Sequence, residues 1–224
     1  MNKTLGVLGG MGAQATSCFY EILHSMQRVS AEQEYLDILI YSKPTIPDRT
    51  AFITGRSDES PLDSMVSALK VLENAGVSCV AIPCVTSHYF YDEFSKTVNI
   101  PILHMPEETA HFLVDGGISK IGLLATDGTL KGRVFHSAFE KSGIELIELS
   151  ADSQARLMEI IYDIKRGGTA GPEILDTLAA ELRGYGAEAL VLGCTELCVI
   201  ARDCPDYINA MEVLARAALG FCLS

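Results

Sequence analysis

The chain has 224 residues, enough for one large domain or two of half that size, and 48% of them are apolar, which excludes a disordered chain. Its 29 acidic and 17 basic side chains leave a formal charge of -12, with the lysines and arginines scattered. That field disfavours nucleic acid and anionic membrane as partners, and no apolar stretch approaches the roughly 20 residues that span a bilayer.

The N-terminal MNKTLGVLGGMG carries one lysine and only a short apolar run before its glycines, too short for a signal peptide, so a cytoplasmic location is expected. TLGVLGG (4–10) reads as a first strand and ATSCFYEILHSMQRV (15–29) as the helix after it. YLDILIYS (35–42) is a second strand, followed by the Pro-rich loop PTIPDRTAFITG. LDSMVSALKVLENAG (62–76) is helical and SCVAIP (78–83) a third strand. EETAHFLVDGG (107–117) is helical, KIGLLAT (120–126) a strand, GRVFHSAFEKSG (132–143) helical and IELIEL (144–149) a strand. QARLMEIIYDIKRG (154–167) and EILDTLAAELRGYG (173–186) are helices, AEALVLG (187–193) a strand, and MEVLARAALGFCL (211–223) the last helix. Strands alternating with helices of this length imply an α/β fold with parallel sheets covered on both faces.

The order repeats. GVLGGMG is answered by GLLATDGT, and AIPCVTS by LVLGCTE, with Gly6 and Gly122 at nearly the same offset as Cys84 and Cys194. Two similar α/β subdomains are therefore expected, residues 1–104 and 105–208, with a C-terminal helix near 210–224 available to pack back on the first. In open α/β sheets ligands bind outside the carboxyl ends of strands, and each half places a cysteine at such an end. If the halves face each other about a pseudo-twofold axis, one small ligand sits between two thiols.

Two opposed thiols suit inversion of a stereocentre: one thiolate removes a proton from carbon and the other thiol returns a proton to the opposite face. A single Cys at a strand end is ordinarily a small buried hydrophobe; two at equivalent places, each followed by hydroxyls, point to a site. TSHYFYDEF after Cys84 resembles a helix start with hydroxyl caps. His88 in that run reads as a local acid or as a structural histidine. The other cysteines (Cys18, Cys79, Cys198, Cys204, Cys222) lack the spacing of a zinc site and are expected as free thiols in a reducing compartment. Gly10-Met11-Gly12-Ala13-Gln14-Ala15 fits G-x-G-x-x-G/A, but the second strand ends on Ser42-Lys43 where a ribose-binding acid belongs, which disfavours NAD and leaves NADP arguable, while a nicotinamide enzyme would leave the paired Cys strand ends unexplained. The glycines are then read as a close backbone approach to a small anionic substrate. Arg49 can fork onto a carboxylate or sit in a surface turn with Asp48; Lys165 is a candidate helix C-terminal charge.

From GVLGGMGAQAT through IPDRT, IPCVTSH, GLLATDGT and LGCTEL to EVLARAAL, the chain resembles the cofactor-independent aspartate/glutamate racemase superfamily, most closely its aspartate racemase branch. The resemblance implies two α/β subdomains with pseudo-twofold symmetry and an active site in the cleft between them. It implies independence from pyridoxal phosphate and metal, a homodimer, and an acidic amino acid as substrate, aspartate first and glutamate second. It assigns catalysis to Cys84, serving the D-enantiomer, and Cys194, serving the L. It carries Arg49 and Lys165 over as binders of the side-chain carboxylate, and Met11, Gln14, Thr50, Val85, Thr86, Ser87, Thr126, Thr129, Thr195 and Glu196 as substrate-lining positions. Two positions depart from the family pattern. Val85 stands where relatives have Asn, and the lost amide costs roughly 1–3 kcal/mol if a substrate polar group is left unpaired. Asn209 stands where relatives have Asp. Two other readings stay open: isomerisation or decarboxylation of a dicarboxylate without an amino group, and a non-catalytic metabolite-binding relative.

Overall fold

TLGVLG shows no polar alternation, and the structure makes this segment the buried centre of a parallel sheet. The computed structural model describes residues 3–168, 171, 173–201 and 204–224. Strand β1 (Thr4–Gly9) leads into helix α1 (Ala13–Met26), strand β2 (Asp37–Ser42), helices α2 (Arg49–Ile53) and α3 (Leu62–Asn74), and strand β3 (Cys79–Ala81). β1 lies between β2 and β3, all parallel, with Gly6 opposite Leu39 and Val80. Beyond Val80 a parallel bridge adds Ile102. Between them run a 3₁₀ turn (Val85–Phe90) and α4 (Tyr91–Phe94).

The second half repeats this wiring. α5 (Met105–Asp115), β4 (Lys120–Leu124), α6 (Asp127–Lys131), α7 (His136–Lys141), β5 (Glu145–Ile147), α8 (Ala151–Lys165), α9 (Glu173–Gly184), β6 (Ala189–Leu192), α10 (Thr195–Ile200) and β7 (Tyr207–Asn209) follow in order. The sheet order is β5-β4-β6-β7, again parallel, and Gly122 lies opposite Ile147 and Leu190 as Gly6 does opposite Leu39 and Val80. Tyr207 of β7 pairs with Leu190 where Ile102 pairs with Val80. The fold is α/β with two parallel sheets, as the repeated pattern implied.

The last helix, α11 (Ala210–Leu223), packs against α1, α5, β1 and β3. Its Met211, Leu214 and Ala218 join Leu5, Val7 and Phe19 of the first half and Ile121, Leu123 and Phe135 of the second in one continuous core. Fully burying each of the Val, Leu, Ile, Phe and Met side chains among them contributes about 1.5–3 kcal/mol. No helix among the described residues is long and apolar enough to cross a membrane.

Local structure departs from the sequence reading in four places. Arg49 opens a short helix, α2, rather than lying in a loop, because the Asp48 carboxylate caps it by accepting the Ala51 N–H at 2.9 Å. The run after Cys84 is a 3₁₀ turn without a side-chain cap; its hydroxyls are used elsewhere. The helix expected from Gly132 starts only at His136, since Arg133 adopts φ 51° and breaks the pattern. β7 is three residues long, too short for a period to register.

Candidate active site

β3 and β6 occupy equivalent positions in their sheets, and each is followed within three residues by a cysteine. Cys84 follows Ile82-Pro83, and Cys194 follows Gly193. The two turns are built alike: the Cys84 carbonyl accepts the Ser87 N–H at 3.2 Å and the Cys194 carbonyl accepts the Leu197 N–H at 3.0 Å. Both thiols are almost fully enclosed, at 5% and 4% exposure.

Around them the two halves interlock through polar side chains. Thr86 from the first half meets Thr126 and Thr129 from the second, each oxygen pair 3.0 Å apart, and Thr126 and Thr129 are 3.1 Å from each other. Thr126 also caps α6 by accepting the Thr129 N–H at 3.1 Å. Ser87 donates to the Met11 sulfur at 3.4 Å. Arg49 is buried; its Nη1 donates to the carbonyls of Ile46 (3.2 Å) and Pro47 (2.9 Å), and its Nη2 to the Met11 carbonyl (3.3 Å). Its Nε has no hydrogen-bond partner. An enclosed charged donor without an acceptor is a position for a ligand oxygen. Thr50 is buried on α2 and faces Gly128 of α6, where a Cβ would stand 2.8 Å from the Thr50 Cα. Val85 is buried in the shared core. Gln14 is exposed on the first turn of α1, outside this network.

The electrostatics centre on Glu196, which is buried beside Cys194. The Cys194 thiol donates to Glu196 Oε2 at 3.1 Å, and the Thr195 hydroxyl lies 3.4 Å from the same oxygen. Glu196 Oε1 stands 3.8 Å from Lys165 Nζ. Burial pushes the Cys194 thiol well above its ordinary value; Glu196 adds to this and Lys165 opposes it. Cys194 therefore rests as a neutral thiol. For Lys165, burial disfavours the charge, but Glu196, Cys194 and Cys84 outweigh it against Arg49, and the ammonium is held above its usual range. One cation thus feels both thiols. Lys165 ends α8, as expected of a helix C-terminal charge, but its side chain turns onto Glu196.

Two residues were not singled out from sequence. Asp48 accepts from Tyr162 Oη at 3.3 Å, and Tyr162 lies beneath Lys165, 6.0 Å from ring centroid to Nζ. Burial pushes the Asp48 carboxyl up, but the Ala51 N–H, Lys165, Arg49 and the Tyr162 hydroxyl together hold it below the usual carboxylate range. The available signal was spacing: Tyr162 and Lys165 share a helix face at i, i+3. His88 proves structural. Its Nε2 accepts the Met105 N–H (3.3 Å), so its Nδ1 carries the proton and donates to the Cys84 carbonyl (3.1 Å). The glycine loop faces protein atoms. Gly10 adopts φ 89°, with the Lys43 backbone 2.5 Å from where a Cβ would be, and a Cβ on Gly12 would stand 2.8 Å from Glu196 Oε1. Among the described residues, no three His, Cys, Asp or Glu side chains converge as a metal site.

A family model for Asp/Glu/Hydantoin racemases matches residues 8–218. The chain belongs to the Asp/Glu/Hydantoin racemase family. It is an isomerase of the amino-acid racemase kind. Among its relatives is the broad specificity amino-acid racemase RacX of Bacillus subtilis, 29% identical over 202 residues that cover 86% of this chain and 85% of RacX. Among solved structures, the aspartate racemase of Picrophilus torridus superposes with a TM-score of 0.86 at 28% identity, covering 98% of this chain and 94% of that one. A glutamate racemase of Francisella tularensis, solved with D-glutamate, shares the fold at a TM-score of 0.71 and 16% identity, over 99% and 81% of the two chains.

Proposed function

We propose that this racemase interconverts the L and D forms of an acidic amino acid, aspartate first and glutamate second, by proton transfer between Cys84 and Cys194. The observation that carries this reading is the Cys194 thiol donating to a buried carboxylate while Lys165 lies within electrostatic reach of both sulfurs.

Cys194 first gives its proton to Glu196, and the thiolate so formed is steadied by Lys165. The thiolate takes the α-proton from one face of the substrate: the Cα–H bond breaks and an S–H bond forms. The Cys84 thiol then delivers its own proton to the opposite face and is left as the thiolate; once product leaves, the Glu196 carboxyl gives up its proton and Cys84 is reprotonated, restoring two thiols and a carboxylate. The reverse direction exchanges the two roles. Arg49, with its unpaired Nε, and Lys165 receive the distal carboxylate. The hydroxyls of Thr86, Thr126, Thr129 and Thr195 receive the α-carboxylate. Holding that carboxylate among donors stabilises the negative charge that develops on it as the α-proton leaves.

Chemistry of this kind needs neither pyridoxal phosphate nor metal. The test is deuterium entry at Cα when L- and D-aspartate and L- and D-glutamate are incubated separately in heavy water. Early product is expected to carry deuterium while unreacted substrate keeps its proton. Absence of exchange with these and with a panel of the other common amino acids would overturn the reading. A second reading, isomerisation of a dicarboxylate without an amino group, is favoured by one observation: Val85 supplies no amide for an ammonium or carboxylate. Turnover of such a diacid by protein inert toward amino acids would select it.

A further inference from the structure

Cys79 and Cys222 take no part in the proposed proton transfer. They stand 143 positions apart in sequence, yet their sulfurs lie 3.6 Å from each other. Both are free thiols in the core that the two halves share, Cys79 with no exposure and Cys222 with 6%. The Cys194, Cys198 and Cys204 thiols, by contrast, donate to oxygen atoms. Buried thiols in contact are ordinarily small hydrophobes that touch through packing. Two further features set this pair apart.

The first is access. Cys222 lies in the last turn of α11 and forms part of the wall of a surface concavity of about 300 Å³, which Lys3, Glu34 and Asp37 also line. A reagent entering there meets Cys222, with Cys79 enclosed behind it. The second is charge. Lys3 Nζ donates to the carbonyl of Phe221, the residue before Cys222, at 2.6 Å. Burial raises the Cys222 thiol, but its bond with Cys79 and the Lys3 ammonium oppose the rise. Burial pushes Cys79 up to about 12; Cys222 adds to this, and Lys3 opposes it. The outer sulfur, Cys222, is therefore the one that ionises first and attacks.

We infer that Cys79 and Cys222 are a redox pair: a low-molecular-weight disulfide entering the concavity oxidises them to a disulfide that staples α11 to β3. The Cys222 thiolate attacks one sulfur of the reagent, a mixed disulfide forms on Cys222, and one reagent thiolate leaves. The Cys79 thiol then gives up its proton, and its sulfur attacks Cys222 Sγ and releases the second reagent thiolate. Two protein thiols are oxidised by two electrons and the reagent is reduced by the same two. The two protein protons end on the two departing thiols. Closing the bond brings the sulfurs from 3.6 Å to about 2.05 Å, a movement that the fraying last turn of a helix accommodates. The staple closes a loop that contains the entire second half, and long loops gain most from closure. It also fixes the helix that both halves share against the strand that leads to Cys84.

The experiment treats the native full chain with an excess of 2-hydroxyethyl disulfide, which is small and uncharged and so enters between Lys3 and the two carboxylates. The reaction is quenched with iodoacetamide and mapped by mass spectrometry, and melting is followed by circular dichroism. The wild type is expected to carry Cys79 and Cys222 in one disulfide-linked peptide pair. It should melt about 5 °C or more higher, reversibly on addition of dithiothreitol. Cys222→Ser should form no crosslink and show no rise. Cys79→Ala should stop at the mixed disulfide, with one mercaptoethanol held on Cys222. If either variant fails to fold, the wild-type map still decides. A wild type that keeps both thiols under excess reagent, joins either one to another cysteine, or melts no higher once crosslinked overturns the inference.

Discussion

Cys194 keeps its proton at rest because it is buried and because Glu196 stands beside it, with Oε2 3.1 Å from the sulfur. The same carboxylate that raises the thiol's affinity for its proton is the group best placed to take it. Replacing Glu196 by Gln removes that acceptor and leaves burial, the larger cause of the shift, in place. Racemisation near pH 7 is expected to fall about a hundredfold, within the usual range for a lost general base. Part of the loss should return as pH rises and the thiol ionises to solvent instead. A pH–rate profile checks this; a profile identical to wild type would remove Glu196 from the chemistry. Gly12 belongs to the same arrangement, since only a residue without a Cβ leaves room for Glu196 Oε1.

At the scale of elements, the turn that carries Cys84 is tied to the start of α5 by one neutral imidazole. Burial, and then the neighbouring His104, pull His88 down from 6.5 to about 4, against the hydrogen bonds it makes to backbone. The unfolded chain therefore binds a proton that the folded chain refuses between those values. Stability from this residue is complete above pH about 6.5 and is lost as pH falls toward about 4, roughly 3 kcal/mol in all. His104, also pulled down to about 4 by burial, adds a contribution of the same sign. His88→Gln should flatten the fall of the melting temperature between pH 7 and 4.5 without abolishing it; an unchanged slope would contradict the assignment. Sequence made the long strands and both cysteines legible, because unalternating runs such as AEALVLG and the recurrence of strand-Cys-Thr are read directly as pattern. It left β7 and α2 unread, since three and five residues are too few for a period. Asp48 read as a turn residue because its two functions, capping α2 and accepting from Tyr162, come from opposite halves of the chain.

For the whole molecule, both thiols are enclosed, so the proposed proton transfer requires the halves to separate for substrate to enter. The contact between α2 and α6 is tight enough to report on that motion: a Cβ on Gly128 would meet the Thr50 Cα at 2.8 Å, a backbone atom that cannot turn aside, and the Thr86 side chain at 3.0 Å. Gly128→Ala should wedge the halves apart. Cys84 and Cys194 are then expected to react several-fold faster with a thiol reagent, while kcat falls because the closed arrangement is no longer reached. Mass spectrometry of the labelled peptides checks it; unaltered labelling of both cysteines would show that the halves close without this contact.

The placing of α11 has a consequence for how the protein is made. The helix that covers β1 and β3, α11, follows β3 only after the whole second half, and Cys222 on it lies 3.6 Å, sulfur to sulfur, from Cys79 on β3. A ribosome delivers β3 long before it delivers α11. At 5–20 residues per second the first sheet stands with an apolar face open for on the order of ten seconds. The first half therefore cannot finish folding as it emerges, and must be held, or hold itself, until α11 emerges to close it.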